Sequence, residues 1–112
     1  MTEDGPIVVL VTAANEGEAQ RVADGLIEGH LAACVSILPD THSRYRWAGK
    51  IEDSNEVLLI IKSRSGLLDD IISRVRERHS YDVPEIIALP VIGGNRDYLK
   101  WIEIETGKSV RT

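Results

Sequence analysis

The 112-residue chain contains no phenylalanine, one cysteine and one methionine. Its core must therefore be aliphatic, and the 43 % hydrophobic content can supply one while the 28 % charged residues cover the surface. The lone Cys34 excludes an internal disulfide. No apolar run approaches the roughly 20 residues of a membrane span. The opening Met1-Thr2-Glu3-Asp4-Gly5-Pro6 is acidic and polar, without the basic start and apolar stretch of a signal peptide. Basic residues form no block: Arg44, Arg46, Lys62 and Arg64 are scattered, and Arg74, Arg76 and Arg78 read as a solvated helix face. With a net charge of −5, non-specific binding to nucleic acid or an anionic membrane is disfavoured. There is no P-loop, no G-x-G-x-x-G, no G-x-S-x-G, and no Cys-His or Ser-His arrangement to single out. These absences point to a soluble cytoplasmic protein that is not an enzyme and has no nucleic-acid or membrane partner. The length fits one compact domain, expected over residues 7–105 between a disordered tail at 1–6 and a C-terminal tail at 106–112.

What is present is strongly patterned. Ile7 to Thr12 is a continuous apolar run rich in β-branched residues, the mark of a strand buried on both faces. Asn15 is a good N-cap, with Glu18 three residues on as in a capping box. Ala19, Val22, Ala23, Leu26 and Ile27 then fall on one helix face, and Gly29 supplies a left-handed stop. Leu31 to Leu38 reads as a second strand ended by Pro39-Asp40. In Ser43-Arg44-Tyr45-Arg46-Trp47 the aromatic and basic residues alternate, so Tyr45 and Trp47 share one strand face and Arg44 and Arg46 the other. Ala48-Gly49 turns the chain back through polar residues to an apolar strand at Val57 to Ile61. Ser65-Gly66 opens a second helix with Leu67, Leu68, Ile71, Ile72 and Val75 on its apolar face. Glu85 to Ile92 is another apolar strand, and Gly93-Gly94-Asn95 introduces a short third helix carrying Tyr98, Leu99 and Ile102 on one face.

The order βαββαβ plus a terminal helix predicts an α+β, ferredoxin-like sandwich, an antiparallel sheet covered by two helices on one face. Strands apolar on both faces then need cover on the second face, most economically from other copies of the subunit. The stretch from Leu31 to Lys62 predicts a hairpin too long for so small a domain. A projecting hairpin is marginal in water and needs something to pack on.

With these segments placed, four motifs in register carry a resemblance. They are Leu31-Ala32-Ala33-Cys34-Val35, Tyr45-Arg46-Trp47-Ala48-Gly49-Lys50-Ile51, Tyr81-Asp82-Val83-Pro84-Glu85-Ile86-Ile87 and Tyr98-Leu99-Lys100-Trp101-Ile102. From about Ile7 to Ile104 the chain resembles the CutA family of divalent-cation tolerance proteins. The resemblance implies a tight homotrimer with hairpins pairing across subunits, and a role in tolerance of copper or another divalent cation, bound weakly. It also implies a likeness to PII-type signalling trimers, which bind small ligands in clefts between subunits.

Copper and zinc favour imidazole and thiolate. Of the family's copper ligands, a Cys near the end of the first strand and a His-His pair, only His79 carries over; the other positions hold Val11 and Arg78, and Ser80 stands in place of the Pro that follows the pair. His79 is therefore the candidate metal residue, with a helix-end histidine bonded to backbone carbonyls as the alternative. Cys34 reads as a buried structural thiol, His30 as solvated after a helix stop, and His42 as solvated in a polar turn. The second candidate is a ligand cleft or interface formed by Trp47, Lys62, Tyr81 and Glu85, whose indole, ammonium, phenol and carboxylate suit a small polar ligand. The same residues also suit a structural Glu85–Lys62 ion pair and aromatic interface packing.

Overall fold

A computed structural model describes residues 4–107. Four strands and three helices follow one another: β1 (Pro6–Ala13), α1 (Glu16–Glu28), β2 (Cys34–Trp47), β3 (Lys50–Arg64), α2 (Leu68–Arg78, preceded by a 3-10 turn at Ser65–Leu67), β4 (Ile86–Pro90) and α3 (Arg96–Glu105). The sheet is antiparallel throughout, with strand order β2-β3-β1-β4. That is the split βαβ arrangement of the ferredoxin-like fold.

Strand alternation builds the core. Ile7, Val9, Val11 and Ala13 of β1 and Val57, Leu59 and Ile61 of β3 turn to one side, where Ala19, Val22, Ala23 and Leu26 of α1 and Ile71 and Val75 of α2 meet them. Ile27 is on the rim of that helix face and is exposed. The helices are held to each other by an unexpected device. Arg74 donates to the Gly25 carbonyl at 2.7 Å and Arg78 to the Arg21 carbonyl at 3.1 Å, so these two arginines reach across α1, while Arg76 and Arg78 stay exposed as a solvated face requires. Gly25 and Gly29 leave the room: a Cβ on either would come within 2.9 Å of the Arg78 and Arg74 guanidinium groups.

Local chemistry sets the element ends, with some departures from expectation. Asn15 caps α1 by accepting from the Glu18 N–H at 2.8 Å. Glu18 does not complete a capping box on Asn15; it accepts from the Ala14 N–H instead. The left-handed residue after α1 is His30 (φ 56°), while Gly29 has φ −85°. His30 Nδ1 lies 3.2 Å from the Glu105 carbonyl oxygen of α3. Strand β2 starts at Cys34, not Leu31, and does not end at Pro39. It runs on through a bulge, so His42 lies in the strand opposite Asn55, beside Asp53 at 3.1 Å, rather than in a turn. Asp4 pairs with Arg64 and accepts from the Gly66 N–H, and Pro6 already belongs to β1. Thr106 is buried and bonds Arg64 through its hydroxyl and carbonyl oxygens. The first three residues of the expected N-terminal tail, and 108–112 of the C-terminal one, lie outside the described residues.

The β2–β3 hairpin makes the molecule long, with extents of 54 × 26 × 22 Å. Ala48 (φ 53°) and Gly49 (φ 80°) form the two-residue reversal, the conformation that matches strand twist, although a left-handed alanine carries strain. On the sheet face away from α1 and α2, Ile87 and Leu89 of β4 are 52 % and 48 % exposed, and Leu38 of β2 is also exposed.

Candidate functional site

The bulge decides what faces what. Leu38 pairs with Leu58 and Thr41 with Glu56, so three steps in β2 match two in β3. The extra residue lies at Pro39-Asp40, with Asp40 at φ 61°. Because strand side chains alternate, one extra residue exchanges the two faces of everything beyond it. Before the bulge, Leu38 shares a face with Leu58; after it, Thr41, Ser43, Tyr45 and Trp47 share that face with Glu56. The bulge thus brings both hairpin aromatics to the side where β1 presents Thr12 and where the chain emerges from α2.

That emerging segment, 79–85, is tied down by side chains. The His79 side chain is fully buried, its Nε2 lying 2.6 Å from the Thr12 carbonyl oxygen. Its Nδ1 accepts from the Tyr81 N–H at 3.1 Å. A backbone N–H can only donate, so Nδ1 is unprotonated and Nε2 carries the hydrogen given to Thr12. Glu18, 2 % exposed, accepts from the Ser80 N–H and the Ala14 N–H, both at 3.0 Å. Burial pushes the Glu18 carboxyl up, but hydrogen bonds from Ser80 and Ala14, with His79 alongside, outweigh it and hold the group below its ordinary value. The Tyr81 ring stands edge-on to the His79 ring, centroids 4.8 Å apart, and its hydroxyl donates to Glu56 Oε2 at 2.9 Å. Burial, then this bond to a carboxylate, pushes the Tyr81 phenol up to about 12.

The result is a cleft of about 610 Å³ between hairpin and connection, lined by Tyr45, Trp47, Glu56, Tyr81, Asp82 and Glu85 among others. The size suits a small organic molecule. Glu85 is exposed overall, yet the concave setting and then the neighbouring Glu56 charge raise its carboxyl above the ordinary value.

Three of the four residues expected in a cleft, Trp47, Tyr81 and Glu85, meet there. Lys62 does not. It lies six positions from Glu56 on β3, about 20 Å along an extended strand. Its ammonium is held by Ser36 Oγ at 3.1 Å, with Cys34 Sγ at 3.8 Å, so no Glu85–Lys62 ion pair forms. Cys34 is half-buried beside that ammonium rather than enclosed in the core. His79 lies behind the cleft, with both ring nitrogens engaged. Among the described residues no group of three or more His, Cys, Asp and Glu is placed to hold a metal ion. Sequence reasoning missed Glu56, Tyr45 and Glu18. The one signal for the first two was Pro39-Asp40 interrupting a strand pattern, which marks a bulge as well as an end.

Fold and site together define a ferredoxin-like α+β domain with a long hairpin and an aromatic, acidic cleft along the outer half of that hairpin. A family model described as CutA1 divalent ion tolerance protein matches residues 7–105. Protein CutA 1, chloroplastic, of Oryza sativa subsp. japonica is 48 % identical over 92 % of the chain, and the divalent-cation tolerance protein CutA of Thermus thermophilus is 44 % identical over 89 %. The chain spans 58 % of the rice protein, 55 % of the chloroplastic protein CutA of Arabidopsis thaliana and 97 % of the Thermus one. Among solved structures, CutA1 from Oryza sativa superposes with a TM-score of 0.90 at 47 % identity, covering 97 % of this chain and all of that one. The divalent cation tolerance protein from Thermus thermophilus gives 0.89 at 43 % identity, covering 91 % and 99 %. The chain belongs to the CutA1 divalent ion tolerance family. No helix of the described residues is long and apolar enough to cross a membrane.

Proposed function

We propose that this chain acts as a cytoplasmic homotrimer in tolerance of divalent cations, copper among them, by weak binding rather than catalysis. The observation that carries the trimer is the uncovered sheet face: Ile87, Leu89 and Leu38 stand exposed on strands whose opposite sides are core, beside a hairpin with nothing to lie on. A second and third copy cover both. Size-exclusion chromatography with light scattering is expected to give three times the subunit mass at micromolar concentration. Ile87→Asp with Leu89→Asp is expected to yield a folded smaller species. A wild-type monomer would sink the proposal.

Copper is the metal the family resemblance offers, and His79 its only inherited ligand. To ligate, the imidazole must release the Tyr81 N–H or the Thr12 carbonyl, so binding is expected to be weak. A copper titration of wild type against His79→Gln measures this, and equal binding by both removes His79 from the account.

A second reading is favoured by the cleft itself: a PII-like trimeric sensor whose clefts take a small ligand or a partner segment. Trp47, Tyr81 and Glu85 converge on one cavity from two distant parts of the chain. A thermal-shift screen of small metabolites tests this. The expected result is a stabilising ligand whose effect falls in Trp47→Ala; a screen in which no compound moves the transition counts against it.

A further inference from the structure

Residues around the cleft select the charge of what enters it. Glu56 is 7 % exposed, and only its Oε2 is engaged, by Tyr81. The other oxygen accepts no hydrogen bond from the described residues and keeps contact with the cleft, since no buried side-chain oxygen or nitrogen there lacks a partner. Glu85 stands on the same cleft. The positive charge among the lining residues is Arg44, and it is already held by Asp53 in two hydrogen bonds of 3.0 and 2.8 Å. Three carboxylates, Glu56, Asp82 and Glu85, thus line a cavity whose remaining walls include Tyr45, Trp47 and Tyr81, with no free countercharge among the described lining residues.

Electron-rich indole and phenol faces attract a cation, and more strongly where water is partly excluded. An anion would meet the carboxylates with no free cationic partner among the described lining residues. A bare metal ion would find too few ligands in a cavity much larger than its coordination sphere. We infer that this cleft binds an organic cation, an ammonium or quaternary ammonium group on an apolar body, the charge at Glu56 and Glu85 and the body against Trp47 and the tyrosines. The inference rests on reading the cleft as a ligand site.

The chain has two tryptophans, and the second, Trp101, is on α3. Trp101→Phe therefore leaves Trp47 as the only indole reporter. Its fluorescence, and the indole N–H resonance of the labelled protein, are followed during titration with benzyltrimethylammonium chloride, sodium benzenesulfonate or benzyl alcohol. Light scattering on the same samples monitors the assembly. Saturable change with the cation alone, weakened at least threefold by Glu85→Gln with unchanged assembly, is the expected result. Equal response to the sulfonate or the alcohol, or an unchanged cation affinity in Glu85→Gln, overturns the charge assignment while leaving the cleft a ligand site. Zinc chloride displacing the organic cation at equal concentration also overturns it. Saturation by none of the three organic probes overturns the inference and the cleft reading together.

Discussion

The two halves of the β2–β3 hairpin are one continuous ladder and two different kinds of structure. In the root half, Val35 and Ile37 face Ile61 and Leu59, and these side chains enter the core. In the outer half, Thr41–Trp47 against Lys50–Glu56, Glu56 at the junction is the buried side chain; Tyr45, Trp47 and Ile51 are exposed. The outer half is held by cross-strand polar pairs, Tyr45 to Ser54 at 2.7 Å and Arg44 to Asp53. Such pairs contribute about 0.2–1 kcal/mol each, against roughly 1.5–3 kcal/mol for burying one large aliphatic side chain. The root half is thus stabilised within the chain. The outer half leaves Tyr45, Trp47 and Ile51 exposed and rests on its cross-strand pairs instead.

That contrast can be broken by substitution. Leu59→Ala, in the root, is expected to cost about 2–5 kcal/mol in denaturant unfolding, because a fully buried side chain leaves a cavity. Ser54→Ala, in the outer half, is expected to cost less than about 0.5 kcal/mol. Similar losses for the two would erase the distinction. The buried polar node behind the cleft belongs with the root half in this respect. Glu18→Ala strands the Ala14 and Ser80 N–H groups and is expected to cost about 2–4 kcal/mol. Asp53→Ala, which removes an exposed ion pair, is expected to cost under about 1 kcal/mol.

Tyr81→Phe tests the junction between the halves. It leaves the buried Glu56 carboxylate short of a donor and is expected to cost about 1–2 kcal/mol. The same bond has a pH signature. The phenol is pushed from 10.0 up to about 12, so the folded state favours the protonated form. Its stabilisation is fully present below pH 10.0 and is lost as pH rises toward about 12. Phenolate absorbance should show the Tyr81 phenol titrating late in wild type, and Glu56→Gln should bring it back toward 10.0. Glu85→Gln carries the smallest expected effect and the opposite sign. A carboxyl raised by burial and by Glu56 favours folding when protonated, with that contribution lost as pH rises through its folded value. At pH 7 the neutral amide should leave the transition unchanged or raise it slightly, by under about 0.5 kcal/mol given the exposure. A clear loss would show that Glu85 has a countercharge in the assembly.

Much of the fold was legible because its signals are local. The apolar run of β1, the apolar face of α1 and the Asn15 cap each lie within a few residues of what they specify. The Arg74 and Arg78 bonds across α1 were not legible: arginines late in a helix look solvated until the partner helix, with glycines at 25 and 29, lies against them. Nor was the fate of Lys62, whose motif neighbours gave no sign of its distance from Glu85. For His79 the imidazole was legible as a candidate ligand, but its bond to the distant Thr12 carbonyl and its hold on the Tyr81 N–H were not.

By itself the sequence determined the order of strands and helices, the aliphatic core and the apolar residues on the second sheet face, since these follow from composition and from periods of two and 3.6 residues. The tertiary structure alone decided the cleft. One extra residue at Pro39-Asp40 turns Tyr45 and Trp47 toward Glu56, and the Glu18–His79 node holds Tyr81 and Glu85 opposite them. Register and burial are relations between residues far apart in the chain. No local pattern encodes on which side of a bulge a side chain will fall until the partner strand is in place.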